Sequence, residues 1–469
     1  MKTETGPSPR GPYVTQDELL NYLGQCTKQQ LDTEFQAVQE QVKQRDNMPQ
    51  YQYLIQMIQK YENEIQLKTW ITVFNVSKNE SNQILNIKYQ TQNCELNKFG
   101  RNVRIECNQK DHEIVLNKIK NINATFKVKV EEFRLLFMFG SEVENISTVN
   151  LSNIQKLFLN CCKNVKFHGV ANVKVLHAKS CDIQSIDGIQ NWNQLLELNL
   201  TGNKLKSVAQ LENLTQLKVL ELTSNQNIKN VEPLRGLVNL TTLSLQYNKI
   251  ENVEPLRGLV NLRDLYLSSN QIENVEPLRG LVNLTDLSLQ YNKIENVEPL
   301  RGLVNLTTLS LHENKIQNVE PLRGLVNLTD LSLYQNQIEN VEPLRGLVNL
   351  TTLSLQYNKI ENVEPLRGLV NLTTLSLSSN QIQNVEPLRG LVNLTYLSLS
   401  GNQIQNVEPL RGLVNLRDLY LSENQIQNVE PLRGLVNLTT LDLQNNQIKD
   451  FSPIQNHPNF KYYLTFGQK

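Results

Sequence analysis

Residues 240–261 read LTTLSLQYNKIENVEPLRGLVN, and this repeat recurs along the second half of the 469-residue chain. The string VEPLRGLVNL occurs ten times at intervals of 22 residues, beginning at positions 231, 253, 275, 297, 319, 341, 363, 385, 407 and 429. Written as a pattern, the repeat is L-x-x-L-x-L-x-x-N-x-I-x-x-V-x-P-L-x-x-L-x-x. Self-similarity at a short fixed period predicts a solenoid, in which stacked repeats bury one continuous core.

Each position of the repeat has a physical role. Residues 242–245 (TLSL) alternate polar and apolar side chains, which predicts one short parallel strand with its leucines inward. Asn248 predicts a turn, and its amide, stacked on its equivalents in other repeats, can bond buried backbone groups. Pro255 suits the start of a short helical turn, and Gly258 suits its end. The sequence therefore predicts an α/β solenoid: a curved horseshoe with a parallel β-sheet on its concave side and short 3-10 or helical turns on its convex side.

The predicted organisation has five parts. Residues 1–13 are expected to be disordered, and residues 14–68 form a helical N-terminal region, because apolar stripes at helical spacing follow two capping boxes. Residues 69–150 are either a β-rich module or degenerate repeats that thicken a cap. Residues 151–450 form the array of about fourteen repeats, ten of them near-identical from position 231. Residues 451–469 break the pattern and are expected to cap the C-terminal end, because a terminal repeat leaves its apolar face uncovered.

The differences among the ten copies cluster at the outward positions of the strand and at the two residues before the turn asparagine. Every tyrosine of the regular array takes such a position, and tyrosine gives a large contact area with few rotatable bonds. Ten strands at about 4.8 Å spacing give a surface on the order of 50 Å long, which suits a folded protein better than a small molecule. The predicted partner-binding residues are Tyr247, Asp264, Tyr266, Asp286, Tyr291, His312, Glu313, Asp330, Tyr334, Tyr357, Tyr396, Asp418 and Tyr420.

The run from Asn248 to Leu256, Asn-x-Ile-x-x-Val-x-Pro-Leu, resembles the 22-residue class of leucine-rich repeats. This class is found in the regulatory subunit of type-1 protein phosphatase and in bacterial internalins. The resemblance implies the leucine-rich-repeat fold and a protein partner, but it does not imply which partner. The leading hypothesis is a protein-interaction scaffold that binds a folded partner on the concave face. The alternatives are a regulatory subunit of a protein phosphatase or another enzyme, and a surface or secreted adhesin.

No constellation for catalysis, a metal or a cofactor stands out, so we expect a protein that is not an enzyme. Cys161, Cys162, His168, His177 and Cys181 lie close together in the sequence, which raises a metal site as a possibility. However, Cys162 and Cys181 fall on the turn-asparagine position, and His177 is predicted to point to the concave side. We therefore expect neither a metal nor another cofactor.

Charge and hydropathy exclude other partner classes. Lys+Arg and Asp+Glu both number 46, and the predicted concave lysines are interleaved with acids, so nucleic acid is not expected. These lysines are Lys249, Lys293, Lys315 and Lys359. The longest apolar run, residues 135–139, is too short to insert into a membrane, and MKTETGPSPRGPY lacks the apolar core of a secretory signal. We therefore expect a cytoplasmic protein with free thiols, with secretion by another route left open.

Overall fold

The computed structural model describes residues 85–89, 94–99, 102–107, 129–136, 155–160, 165–167, 172–455 and 457–468. The segments predicted to be disordered (1–13) and helical (14–68) lie outside these residues. The chain divides into two compact units, residues 1–165 with 169–181 and residues 166–168 with 182–469. The repeats that carry the candidate surface all belong to the second unit.

The first unit contains six described strands. They are β1 (Leu85–Tyr89), β2 (Cys94–Phe99), β3 (Asn102–Cys107), β4 (Lys129–Leu136), β5 (Lys156–Asn160) and β6 (Val175–Lys179). The pairs β1–β2 and β2–β3 are antiparallel, whereas β3–β4, β4–β5 and β5–β6 are parallel. The first four strands lie in the stretch from 69 to 150 for which two interpretations were left open, and its boundaries stay a prediction.

The second unit contains one short strand per repeat, and every neighbouring pair is parallel. The strands are β7 (Glu197–Asn199), β8 (Val219–Glu221), β9 (Thr242–Ser244), β10 (Asp264–Tyr266), β11 (Asp286–Ser288), β12 (Thr308–Ser310), β13 (Asp330–Ser332), β14 (Thr352–Ser354), β15 (Thr374–Ser376), β16 (Tyr396–Ser398), β17 (Asp418–Tyr420), β18 (Thr440–Asp442) and β19 (Tyr462–Leu464). Leu243 faces Leu265, and Leu265 faces Leu287, so equivalent residues stand side by side. This register stacks each sequence position into a row that crosses the strands.

A 3-10 turn follows each strand from β6 to β17, on the opposite side of the repeat. The turns are Ile189–Asn191, Ala209–Leu211, Glu232–Leu234, Glu254–Leu256, Glu276–Leu278, Glu298–Leu300, Glu320–Leu322, Glu342–Leu344, Glu364–Leu366, Glu386–Gly390, Glu408–Gly412 and Glu430–Leu432. Asn252 Oδ1 accepts the Glu254 N–H at 2.8 Å and Pro255 stands in the first turn, as predicted. The predicted solenoid, with its sheet on the concave side and 3-10 turns on the convex side, is confirmed for this unit.

The core consists of the apolar positions of the pattern. Leu243, Leu245, Ile250, Val253 and Leu256 are each at most 1% exposed, and their equivalents repeat this along the unit. Full burial of one such side chain contributes roughly 1.5–3 kcal/mol. Packing therefore fixes these positions and leaves the outward strand positions free to vary.

The turn asparagines form the predicted ladder. Asn270 Nδ2 donates to the carbonyl oxygens of Leu245 and Leu267, both at 3.0 Å, and its Oδ1 accepts the Ile250 N–H at 3.0 Å. Two of these hydrogen bonds reach the preceding repeat, and the third holds the side chain to its own repeat. Buried backbone groups require such partners, because leaving one unpaired costs about 1–3 kcal/mol.

One turn departs from this pattern because it holds an inserted residue. Gln226 adopts a φ of 61°, and β8 pairs with β9 at a separation of 23 residues, with Val219 opposite Thr242. In the regular repeats, the ladder Oδ1 accepts an N–H from the turn of the preceding repeat. Here Asn248 Oδ1 is buried without a hydrogen-bond partner, although Asn248 Nδ2 keeps its bond to the Leu222 carbonyl at 3.1 Å.

The C-terminal segment continues the coil for one more turn. β19 pairs in parallel with β18, with Tyr463 opposite Leu441. Gln468 takes the place of the ladder asparagine, because its Oε1 accepts the Ile448 N–H at 3.0 Å and its Nε2 donates to the Leu443 carbonyl at 2.9 Å. Residues 451–469 depart from the sequence pattern of the repeat, but their backbone and hydrogen bonds continue its geometry.

A second, outer ladder runs along the edge of the coil. Asn283 Nδ2 donates to the Val260 carbonyl at 2.9 Å, and Thr307 Oγ1 donates to the Thr285 carbonyl at 3.0 Å. The same bonds recur in neighbouring repeats, so these positions are held by backbone contacts. An open groove of about 400 Å³ lies along this edge and is lined by Asn393, Thr395, Asn415, Arg417, Asn437 and Thr439.

Candidate binding surface on the sheet

Four residues of each repeat point away from the core on the sheet side. In the repeat of β9 they are Thr242 and Ser244 from the strand, followed by Gln246 and Tyr247 from the turn. We call these positions and their equivalents from β7 to β18 the outward face, with four columns in that order. Their side chains range from exposed to nearly buried, whereas the central strand leucines are fully buried. The outward face is thus a surface four side chains wide that crosses the strands.

All thirteen predicted binding residues lie on the outward face. The first column holds Asp264, Asp286, Asp330, Tyr396 and Asp418, the second holds Tyr266 and Tyr420, the third holds His312 and Tyr334, and the fourth holds Tyr247, Tyr291, Glu313 and Tyr357. Their role in binding stays a prediction. Their placement shows that three local groups form and that Tyr247 and Tyr357 stand apart from them.

The first group is an aromatic ridge of Tyr291, His312 and Tyr334. The His312 ring stacks on Tyr334 at 4.1 Å with an interplanar angle of 13°, and meets Tyr291 edge-on at 5.4 Å. The Tyr291 and Tyr334 hydroxyls are 3.5 Å apart, and His312 Nδ1 lies 3.0 Å from Ser332 Oγ. Burial between the rings lowers the pKa of His312 to about 4, and burial also raises the pKa of Tyr334. The side chains of His312 and Tyr334 are therefore uncharged at neutral pH.

The second group is a carboxylate cluster of Asp264, Asp286 and Asp330. Asp264 Oδ2 accepts a hydrogen bond from the Thr242 hydroxyl at 3.0 Å. Partial burial raises the pKa of Asp286, and the negative charge of Asp264 raises it further. Burial, with the charges of Asp286 and Asp264, also raises the pKa of Tyr266 to about 12. The cluster thus places like charges together on a partly desolvated surface.

The third group is a tyrosine pair, Tyr396 and Tyr420. Their rings are 5.5 Å apart at an angle of 45°. Burial raises the pKa of Tyr420, and the charge of Asp418 adds to this effect. Between the ridge and the pair, the strands β14 and β15 present only threonine and serine on their outward positions. The ridge and the pair are therefore two separate aromatic patches, and Tyr357 of the fourth column lies between them.

The fourth column has a backbone conformation that the sequence pattern does not predict. Tyr247, Tyr291 and Tyr357 have φ values of 55°, 57° and 55°, in the left-handed region. This region costs roughly 1–2 kcal/mol for a residue with a Cβ atom, and Gly401 and Asn445, which tolerate it best, fill the same position in other repeats. The three tyrosines are 45–60% exposed. Their presence in this column is therefore not explained by packing.

The outward face carries acids and no Lys or Arg. Its carboxylates are Glu197, Glu221, Asp264, Asp286, Glu313, Asp330, Asp418, Glu423 and Asp442. The lysines expected among them lie after the ladder asparagine, outside the four columns. There Lys293 contacts Glu273 at 3.7 Å, and Lys315 contacts Glu295 at 3.4 Å. The lysines predicted to alternate with acids on the concave side therefore lie in the adjacent turn, where they contact glutamates.

The described residues form neither a metal-binding cluster nor a membrane-spanning helix. No group of three or more His, Cys, Asp or Glu side chains there is arranged to hold a metal ion. Cys181 is buried, and its Sγ lies 3.1 Å from the Lys179 carbonyl oxygen. Across the same residues, no helix combines the length and the apolar composition that crossing a bilayer requires.

Comparison with known proteins gives the repeats a family. Residues 238–280, 282–324, 326–368, 370–412 and 414–456 match the family model described as "Leucine Rich repeats (2 copies)". No curated protein matches the chain. Among solved structures, an internalin (inlF) of Listeria monocytogenes is 32% identical, with a TM-score of 0.61, over 62% of this chain and 86% of that one.

Two further structures extend the comparison. A leucine-rich-repeat protein of Leptospira interrogans is 24% identical, with a TM-score of 0.60, over 77% of this chain and 94% of that one. The ectodomain of the Arabidopsis thaliana receptor kinase GASSHO1/SCHENGEN3, solved in complex with CASPARIAN STRIP INTEGRITY FACTOR 2, is 27% identical, with a TM-score of 0.58, over 69% of this chain and 44% of that one. The repeat geometry, the family matches and the internalin similarity agree. The chain therefore belongs to the leucine-rich-repeat proteins, which are generally protein-interaction modules rather than enzymes.

Proposed function

We propose that this chain is a scaffold that captures a folded protein partner on its outward face. The observation that carries the proposal is where the copies differ. Core leucines, ladder asparagines and 3-10 turns are the same from repeat to repeat, whereas the outward face changes from one strand to the next. A surface that differs on an otherwise repeated framework is typical of recognition, because the changes there leave packing untouched.

The composition of the outward face supports the same proposal. Tyrosine is enriched in protein-binding surfaces, because it gives a large and rigid contact with a polar tip. The ridge and the tyrosine pair place such side chains in two patches, and the left-handed tyrosines are kept at a local conformational cost. The plant receptor ectodomain was solved in complex with CASPARIAN STRIP INTEGRITY FACTOR 2, which supports a binding role for a similar fold.

The cellular location is part of the proposal. We propose an intracellular scaffold, and the alternative of a surface or secreted adhesin is favoured by the similarity to an internalin. Fractionation of cells that produce the chain distinguishes the two, because an adhesin would be recovered outside the cell or at its surface. A phosphatase regulatory subunit, the remaining alternative, would copurify with a stoichiometric phosphatase.

The central test replaces Tyr266, Tyr334 and Tyr396 with Ala in the full chain. Each loss of a buried tyrosine contact costs on the order of 2 kcal/mol in binding at a central position, so we expect partner capture to fall more than about tenfold. The control variant replaces Val260, Val304 and Val348, which are exposed outside the outward face, with Ala. Affinity purification with quantitative mass spectrometry measures capture, and circular dichroism checks the fold. Equal recovery of partners by both folded variants would contradict the proposal.

A further inference from the structure

The arginines of the regular repeats form ion pairs away from the outward face. Ten arginines, one in each regular repeat, contact a glutamate three residues earlier; Arg257 Nε, for example, lies 2.7 Å from Glu254 Oε1. These pairs belong to the 3-10 turns. The chain is neutral in total, but the nine carboxylates of the outward face share it with no Lys or Arg.

The carboxylate cluster has no internal counter-charge in the part of the chain that the structure describes. Asp264, Asp286 and Asp330 make no ion pair there. The negative charges of Asp264 and Asp330 both raise the pKa of Asp286. Their strands β10, β11 and β13 span three strand spacings, about 14 Å. The three groups are thus too widely spread for one small ion, and they suit several separate cationic groups of one ligand.

The aromatic ridge overlaps this cluster along the coil, since Asp286 and Tyr291 share one repeat and Asp330 and Tyr334 share another. Aromatic faces attract cations, and the guanidinium group also stacks on them as a flat plate. Carboxylates accept its N–H groups in pairs. Rings and carboxylates at neighbouring positions therefore offer a guanidinium both of the contacts that it prefers.

We propose that the partner presents a cationic, arginine-bearing segment to the carboxylate cluster and the aromatic ridge. This inference rests on the proposed function, because it names the chemistry of the partner at the same face. Binding of such a segment brings opposite charge to carboxylates that form hydrogen bonds but no ion pair among the described residues. It also covers the exposed tyrosine rings.

The test uses the full chain and three fluorescein-labelled peptides of equal length, built from Gly-Arg, Gly-Lys and Gly-Gln repeats. Fluorescence anisotropy measures the Kd at low and at physiological salt. We expect the Gly-Arg peptide to bind most tightly, the Gly-Lys peptide more weakly, and the Gly-Gln peptide not to bind. Raising the salt concentration should weaken the binding of both charged peptides, because exposed charges are screened.

Two matched variants locate the site. The first replaces Asp264, Asp286 and Asp330 with Asn, which keeps an oxygen that can accept the Thr242 hydroxyl. The second replaces Glu212, Glu251 and Glu361, three exposed acids outside the outward face, with Gln. Both remove three negative charges, so a non-specific attraction weakens equally in both. We expect the first to raise the Kd for the Gly-Arg peptide about tenfold or more, and the second to change it less than about twofold.

The outcomes separate this inference from the proposed function. Absence of Gly-Arg binding, equal loss in the two variants, or equal affinity for the Gly-Gln peptide would overturn the cationic partner. The tyrosine variant tests partner capture separately. If that variant loses capture while the peptide test fails, the scaffold stands and only this account of the partner's charge is overturned.

Discussion

At the scale of the residue, His312 links the chemistry of the outward face to pH. Its ring lies between Tyr291 and Tyr334, and burial lowers its pKa from 6.5 to about 4. The folded chain therefore holds the neutral form, whereas the unfolded chain takes up a proton near pH 6.5. Between these two values the unfolded state binds more protons, so stability falls as the pH falls.

We expect the free energy of unfolding to decrease between pH 6.5 and about 4, and His312→Gln to remove the part that is due to this ring. Glutamine occupies the same column at positions 290 and 356, so the repeat accepts it. Asp286 has the opposite effect, because its raised pKa makes the free energy of unfolding fall as the pH rises. Asp286 is present in both proteins, so its contribution cancels when the variant is compared with the wild type. Urea denaturation across this pH range measures the effect, with Gln356→Asn as the control. Identical pH profiles for wild type and His312→Gln would refute the prediction.

The sequence predicts which residues face outward but not their local conformation. Alternation along the strand predicts that Thr242 and Ser244 face outward, and the differences among the copies mark the two turn residues, Gln246 and Tyr247. The left-handed φ of the fourth column leaves no such trace, since its residues include Tyr, Glu and Ser as well as Gly401 and Asn445. Likewise, the sequence predicts a concave position for Lys249 and its equivalents, but the ladder asparagine just before each of them turns the chain away from the outward face.

At the scale of the element, the inserted residue after Asn225 weakens one contact between repeats. The extra residue shifts the N–H that would reach Asn248 Oδ1, and the oxygen is left buried and unpaired. The regular turns show the alternative directly, because there the equivalent N–H donates at about 3.0 Å.

Deleting Gln226 restores the 22-residue spacing, and we expect Ile228 N–H to reach Asn248 Oδ1. The gain should be about 1–3 kcal/mol in the free energy of unfolding, the cost of a buried unpaired acceptor. Deleting Lys249 from a regular turn is the control, and it should destabilise the chain. Equilibrium chemical denaturation of both variants checks the prediction, and a loss of stability on deleting Gln226 would show that the longer turn is required.

The regular elements follow from the sequence almost completely. Alternation over residues 242–245, the ladder asparagine and Pro255 each impose one local geometry, so strand, turn and 3-10 segment follow in order. The last coil does not follow, because Tyr463 and Gln468 replace leucine and asparagine. The stack requires a large side chain at the first position and a side-chain amide at the second. Tyr463 and Gln468 meet these requirements although they are different residues.

At the scale of the whole second unit, the two aromatic patches are held at a fixed separation. The ridge ends at Tyr334 on the turn after β13, and the tyrosine pair begins at Tyr396 on β16. Three strand spacings, about 14 Å, lie between these strands. A folded partner that contacts both patches therefore needs two contact surfaces at this same separation.

Two deletions of the same sequence test that match, because residues 350–371 are identical to residues 240–261. Removing 350–371 brings the patches closer by one strand spacing, about 4.8 Å, whereas removing 240–261 leaves their separation unchanged. Both variants lose the same 22 residues, and equal register at each junction keeps both folded. We expect partner capture to fall only when 350–371 is removed. Equal capture by both would mean that the partner does not bridge the patches.

The uniform register between neighbouring strands has a consequence for inheritance. A gene that encodes identical repeats can gain or lose whole copies by unequal recombination, and each such event joins edges that already fit each other. The coil then changes its strand number without passing through an intermediate that cannot fold. Later point changes on the outward face give each new strand its own side chains. Reach and specificity can therefore evolve separately in this lineage.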